Sequence, residues 1–159
     1  AEELIFGDTP MQECLTEVAK RFERELEIRD KQTTPILFIL SDGEPTDGNP
    51  LPVIESLKSL GVVVISCFVT EQDIANPRVL FGQLEPQWNQ GAKLMFEMSS
   101  TVVDDSAFAK FLLRKNWVIY PNSKLFVQAN HSVILEEFIR VALSPFESSS
   151  DTEILPKGL

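Results

Sequence analysis

One short loop carries side chains that could bind a metal ion. The hydroxyl of Ser41 is followed by the carboxylates of Asp42, Glu44 and Asp47, and Gly43 allows a sharp turn beside Asp42. Hard divalent cations prefer oxygen ligands of this kind. The loop is therefore a candidate site for Mg²⁺, or for Ca²⁺ or Mn²⁺ in its place.

The residues before this loop single out Asp42. Ile36 to Leu40 are all apolar, without in/out alternation, which indicates a strand buried on both faces of a parallel sheet. Ligands of α/β proteins usually bind at the carboxyl ends of such strands. We therefore favour Asp42 as a site residue over a purely turn-stabilising one. Glu44 and Asp47 are more simply interpreted as solvated loop charges, with accessory ligation beside Ser41 as the alternative.

The elements that position the loop alternate between helices and strands. Helical spacing of apolar residues predicts a first helix to about Arg29, with Thr9 as N-cap and Gln12 completing a capping box. This order predicts an α/β fold with a parallel sheet. The elements that follow are a strand from Pro35 to Ser41, a helix from Asn49 to Gly61, a strand from Val62 to Val69, an irregular segment from Thr70 to Gly91, a strand from Lys93 to Ser99, and a helix capped by Asp104 or Asp105.

The character of the chain changes beyond Lys115. Two short β-prone runs, Trp117 to Tyr120 and Lys124 to Gln128, flank a Pro-Asn-Ser turn and predict a hairpin or extended arm. A helix from about Ser132 to Leu143 follows. From Pro145 onward the composition predicts a flexible tail.

Three segments resemble the second half of a von Willebrand factor A (vWA) domain. They are the Gly7-Asp8-Thr9-Pro10-Met11 loop, the Leu40-Ser41-Asp42-Gly43-Glu44-Pro45-Thr46-Asp47-Gly48 loop, and Gly61 leading into the strand Val62 to Val69. The resemblance implies a partial three-layer, Rossmann-like sheet with helices on both faces, followed by a hairpin and helix. It divides the chain into a vWA-like domain at residues 7–115, a C-terminal extension at 116–144 and a flexible tail at 145–159.

The resemblance also implies a metal-ion-dependent adhesion site. In that family the site combines an Asp-x-Ser-x-Ser motif on the first strand, a threonine from a later loop and an aspartate after the fourth strand. Thr9 and Asp42 match the last two, whereas the first motif is absent from this sequence. Two ligands, one of them neutral, seldom hold a hydrated divalent ion tightly without further ligands.

The missing first motif leaves the Pro35 to Ser41 strand with an open edge. Three explanations stay open: removal of the first strands, a first part that associates as a separate polypeptide, or a half-domain that lost metal binding. In each case we expect the edge to pair with something. The candidates are a missing N-terminal half, another chain or a second copy in a homodimer, and the arm from Trp117 to Gln128.

Composition narrows the range of partners. A net charge of −10 repels phosphate backbones and anionic lipid, which argues against direct binding to nucleic acid or membrane surfaces. No stretch approaches ~20 apolar residues, so we expect no membrane insertion. Two cysteines without metal-ligand spacing slightly favour a cytoplasmic or nuclear location, while an extracellular one stays open.

These observations favour a non-enzymatic protein–protein interaction module. By resemblance, an ion held at Thr9 and Asp42 would offer an open coordination position to a partner's carboxylate. One alternative is a metal-free scaffold that assembles through its fold alone. Another is a metal-assisted hydrolase using Asp42, but the loop supplies no His, Lys, Arg or Cys, and the chain has no glycine-rich phosphate loop.

Overall fold

The computed structural model describes residues 10–28 and 34–147. Thr9 and residues 148–159 of the predicted tail lie outside this described part. Its helices and strands in chain order are α1 Met11–Ile28, β1 Ile36–Ser41, α2 Leu51–Ser59, β2 Val63–Val69, β3 Val79–Leu80, α3 Gln90–Met98, α4 Ala107–Arg114, β4 Val118–Ile119, β5 Phe126–Ala129 and α5 Ser132–Glu147.

A three-stranded parallel sheet forms the centre of the described fold. Its strands lie in the order β1–β2–β5. Ile36 lies opposite Val63 in one ladder, and Ser66 lies opposite Phe126 in the other. β3 and β4 form a separate two-stranded parallel sheet. The predicted α/β class with parallel strands is confirmed.

Helices cover both faces of the main sheet. α1, α2 and α3 contribute residues such as Leu15, Ile54 and Phe96 to the hydrophobic core on one face. α4 and α5 contribute Leu112 and Phe138 to the core on the other. β2 is buried along its middle five residues, whereas β1 is only half-buried. β1 packs against the cores on both faces, as expected, but it is less buried than expected, because it is an edge strand among the described residues.

The predicted strand from Lys93 to Ser99 is a helix. The Oδ1 atom of Asn89 accepts a hydrogen bond from the Ala92 backbone N–H (2.8 Å) and caps α3 at its first turn. The buried residues Ala92, Met95 and Phe96 follow helical spacing. A short apolar run fits either element, and here the asparagine cap marks the helix.

The predicted C-terminal hairpin was also wrong. β4 pairs with β3, and β5 pairs with β2 in the main sheet. The two strands do not pair with each other, and neither covers the outer edge of β1. The sheet therefore includes part of the predicted extension at 116–144. Lys124 and Thr101 form an isolated antiparallel bridge beside β5.

Two helix boundaries differ from expectation. Ser106, rather than Asp104 or Asp105, caps α4, because its Oγ accepts a hydrogen bond from the Ala109 N–H (3.1 Å). α5 continues to Glu147, so residues 145–147 of the predicted tail are helical. The helices predicted near 10–29, 49–61 and 132–143, and the strands near 35–41 and 62–69, are confirmed.

Candidate functional site

Ser41, Asp42 and Gly43 form a tight turn at the carboxyl end of β1. Ser41 Oγ accepts a hydrogen bond from the Gly43 backbone N–H (3.0 Å), and Asp42 Oδ1 accepts one from the Glu44 backbone N–H (3.2 Å). Short polar side chains stabilise turns in this way. Asp42 and Glu44 are exposed. Asp42 thus fills the turn-stabilising role with one oxygen, and its Oδ2 takes no part in the turn.

This turn packs directly against the start of α3. Gly43 has a φ of +76°, and a Cβ placed on it would lie 2.3 Å from the carbonyl oxygen of Gly91. A Cβ on Gly91 would in turn lie 2.4 Å from the carbonyl oxygen of Asp42. Only glycine permits such an approach between two backbones. The Asp42 turn is therefore held against the first turn of α3.

Asp47 caps α1 from a distant part of the chain. Its Oδ1 and Oδ2 accept hydrogen bonds from the backbone N–H groups of Gln12 (2.9 Å) and Glu13 (2.7 Å). These N–H groups belong to the first helical turn and have no intrahelical partner. Loss of hydration acts to raise the pKa of Asp47, but hydrogen bonds from the backbone N–H groups of Glu13, Gln12 and Asp47 itself outweigh it, so that the pKa lies below its usual value. The sequence predicted a local cap from Thr9, which lies outside the described residues.

The described residues do not complete a metal site. Both oxygens of Asp47 are bonded to α1. Within residues 10–28 and 34–147, no group of three His, Cys, Asp or Glu side chains is placed to hold an ion. Thr9, the other predicted ligand, lies outside these ranges. The further ligands of an ion at Asp42 would be hydroxyl or carbonyl oxygens, waters, residues outside the described part of the chain, or a partner.

The outer edge of β1 is the second feature of this region. The Val63 N–H bonds to the Pro35 carbonyl (2.9 Å). Because the residues of a parallel strand bond to alternate sides, the backbone groups of Ile36, Phe38 and Leu40 point away from β2. No residue of β1 is charged, and Leu40 is 49% exposed. This edge lacks the charges and bulges that usually protect an edge strand.

A polar cleft of about 330 Å³ opens at the carboxyl ends of β2 and β5. Phe68 of β2 and Gln128 of β5 line it together with residues of the segments 72–76 and 87–92. The sequence marked Thr70 to Gly91 as a long irregular segment of a kind that is often functional. The sequence does not indicate that these residues meet in one cleft, because they come from separate parts of the chain.

None of the helices in the described ranges is long and apolar enough to cross a membrane. The β1 edge, the Asp42 turn and the cleft all lie on a folded scaffold with a buried core on both faces of the sheet. They are the features from which a function can be inferred.

No protein-family model, curated protein or solved structure matches the chain.

Proposed function

We propose that this chain is a non-enzymatic protein–protein interaction module of vWA type, which extends its parallel sheet with a strand from another polypeptide. The outer edge of β1, which no strand of the described residues covers, carries this proposal. It offers the backbone groups of Ile36, Phe38 and Leu40 to an incoming strand. Strand addition of this kind gains affinity from backbone hydrogen bonds and specificity from the pockets that receive alternate side chains.

The size of the main sheet supports the proposal. Sheets usually have about four to six strands, and this one has three in the described part of the chain. Ile36, Leu37 and Phe38 are only half-buried, so an added strand would remove further apolar surface from water. Each Å² of apolar surface buried contributes about 25 cal/mol. The partner's strand would thus gain from packing as well as from hydrogen bonds.

Ion-mediated recognition at Asp42 is the second candidate. Asp42 is exposed and lies at the same end of the sheet as Leu40, and one of its oxygens is outside the turn. A partner's carboxylate could complete the coordination of Mg²⁺ there. We place this candidate second because Asp47 is engaged as a helix cap. Strand addition needs no metal.

Two substitutions of Leu40 distinguish the contribution of its backbone N–H to partner binding from that of its side chain. Leu40→Pro removes the outward N–H of residue 40, whereas Leu40→Ala removes the same exposed side chain and keeps that N–H. Neither changes a β1–β2 hydrogen bond. Both variants are first compared with the wild type by circular dichroism, and are then used to capture binding proteins from a cell extract.

The proposal predicts a protein that the wild type and Leu40→Ala retain and Leu40→Pro loses. The retained protein is then purified and its affinity for the three chains is measured by calorimetry. If the proline and alanine variants capture the same proteins with the same affinities, strand addition at β1 is wrong.

A further inference from the structure

The polar cleft at the carboxyl ends of β2 and β5 is separate from the outer edge of β1, because no residue of β1 lines it. Its volume of about 330 Å³ falls within the range of ligand sites, roughly 300–1,000 Å³. Strand addition makes no use of this cleft. The cleft is therefore a candidate for a second binding site.

Side-chain amides dominate the polar part of the lining. A carboxamide both donates and accepts hydrogen bonds. Asn89 is fixed in place because its Oδ1 accepts the Ala92 N–H, and its Nδ2 remains a donor. A wall of this kind matches a ligand that alternates donors and acceptors, as a peptide backbone does. The five carboxamides are those of Gln72, Asn76, Gln87, Asn89 and Gln128.

The negative charge at the cleft disfavours anionic ligands. Asp73 is the one formally charged side chain among the described residues that line it. The net charge of the chain, −10, adds a negative field over the whole surface. Phosphate and carboxylate ligands are repelled under these conditions. A cationic group is attracted and can approach the Asp73 carboxylate.

Aromatic side chains at the cleft pack against one another. Trp88 is 7% exposed and meets Phe81 edge to face, with 5.2 Å between ring centroids. It also packs against Phe126 at 5.0 Å. These rings are engaged with one another, so they do not offer the open face on which a sugar ring stacks. The aliphatic stem of a lysine or arginine can lie across such a surface while its charged end stays hydrated.

We propose that this cleft binds an extended peptide segment that carries a lysine or arginine side chain. The carboxamides pair with the peptide backbone, and the cation lies beside Asp73. This proposal goes beyond strand addition and does not depend on it. A partner could use either surface alone.

Three blocked tripeptides test the proposal: acetyl-Gly-Arg-Gly-amide, acetyl-Gly-Gln-Gly-amide and acetyl-Gly-Glu-Gly-amide. Each is titrated into the ¹⁵N-labelled chain, and amide chemical shifts are followed by NMR. We expect the arginine peptide to shift the signals of cleft residues such as Gln72 and Gln128, with a Kd on the order of 1 mM. The glutamine peptide should bind about threefold more weakly, since one exposed ion pair contributes little, and the glutamate peptide weaker still.

Two variants complete the design. Asp73→Asn should reduce the affinity for the arginine peptide to that for the glutamine peptide. Asp105→Asn removes an exposed carboxylate outside the cleft and should leave the preference unchanged.

Equal affinities for the three peptides, a preference that survives Asp73→Asn, or no cleft shifts at about 10 mM arginine peptide would each overturn the proposal. Shifts at the cleft with glucose but with none of the peptides would assign it to sugars instead. Because these variants leave β1 untouched, this result and that of the Leu40 variants are independent.

Discussion

Asp47 Oδ2 accepts a 2.7 Å hydrogen bond from the backbone N–H of Glu13, which ties the loop after β1 to the first turn of α1. The companion bond from Gln12 to Oδ1 is 2.9 Å long. A carboxylate at this position satisfies unpaired N–H groups and interacts favourably with the helix dipole. The loop that carries Asp42 is thus held by α1 through Asp47 and by α3 through the contact of Gly43 with Gly91.

Replacing Asp47 should weaken the attachment of α1. Asp47→Ala removes both acceptors and Asp47→Asn leaves one, so we expect the Tm to fall by a few degrees, more for alanine than for asparagine. Thermal unfolding followed by circular dichroism measures this. Glu44→Gln changes an exposed carboxylate in the same loop and is the control with an unchanged Tm. A wild-type Tm for Asp47→Ala would contradict the cap.

The same cap has a defined pH dependence. The pKa of Asp47 is lower in the folded chain than in the unfolded one. Its contribution to stability is therefore present above the unfolded pKa and is lost as the pH falls through the folded one. The Tm values of the wild type and Asp47→Asn should converge in acid.

A pair of glycine substitutions tests the packing of the Asp42 turn. Gly43 and Gly61 both have positive φ, but a Cβ on Gly61 meets nothing within 4 Å, whereas one on Gly43 meets the Gly91 backbone. Gly61→Ala should cost about 1 kcal/mol from backbone strain alone. Gly43→Ala should cost about 3 kcal/mol or more, because the backbones must also separate. Urea unfolding measures both, and equal losses would show that the two backbones are not in contact.

Arg78 and Glu137 join the segment before β3 to α5. Arg78 Nε and Nη2 each donate to one oxygen of Glu137, at 2.6 Å. The Arg78 guanidinium holds the pKa of Glu137 below its usual value. The stability that this pair contributes is therefore present above the unfolded pKa of Glu137 and is lost as the pH falls through its folded pKa.

Glu137→Gln should accordingly lower the free energy of unfolding at neutral pH, and its difference from the wild type should shrink toward about pH 3. Glu136→Gln, at the exposed neighbouring position, provides the control and should have little effect at any pH. The measurement is urea unfolding over a series of pH values. A difference that stays constant with pH would exclude the ion pair as its cause.

A metal-binding measurement distinguishes metal-free strand addition from ion-mediated recognition at Asp42. Among the described residues, Asp42 is exposed and belongs to no group of three His, Cys, Asp or Glu side chains placed to hold an ion. We therefore expect calorimetric titration of the isolated chain with Mg²⁺, Ca²⁺ or Mn²⁺ to give no saturable binding below about 1 mM, with or without Asp42→Ala. Saturable binding that Asp42→Ala abolishes would favour ion-mediated recognition over metal-free strand addition.

Much of the fold could be predicted from the sequence because its signals are local. β1 and β2 are continuous apolar runs, and α1 has an amphipathic face at the helical period. α3 was missed because Leu94, Met95 and Phe96 form a short apolar run that fits a strand equally well. The hairpin was predicted from a turn-like Pro-Asn-Ser segment. In the structure, Ser123 donates a hydrogen bond to the Leu80 carbonyl (2.8 Å), so a distant strand fixes that turn.

The candidate site also combines local features that the sequence predicts with long-range contacts that it does not. The position of Asp42 after β1 follows from the local pattern, and its turn is local too. The role of Asp47 could not be predicted, because its partners lie 34 and 35 residues away. The cleft has contributions from β2, β5 and the segments between them, and only the folded chain brings these together.

Residue-by-residue amide hydrogen exchange in β1 of the isolated monomer is the most direct test of the central claim. The N–H groups of Leu37 and Ile39 face β2, whereas those of Ile36, Phe38 and Leu40 face outward. Strand addition predicts slow exchange at the first two and fast exchange at the other three, with slow exchange at all five once a partner is bound. Slow exchange at all five in the monomer would show that the edge is already covered, and would contradict the proposed function.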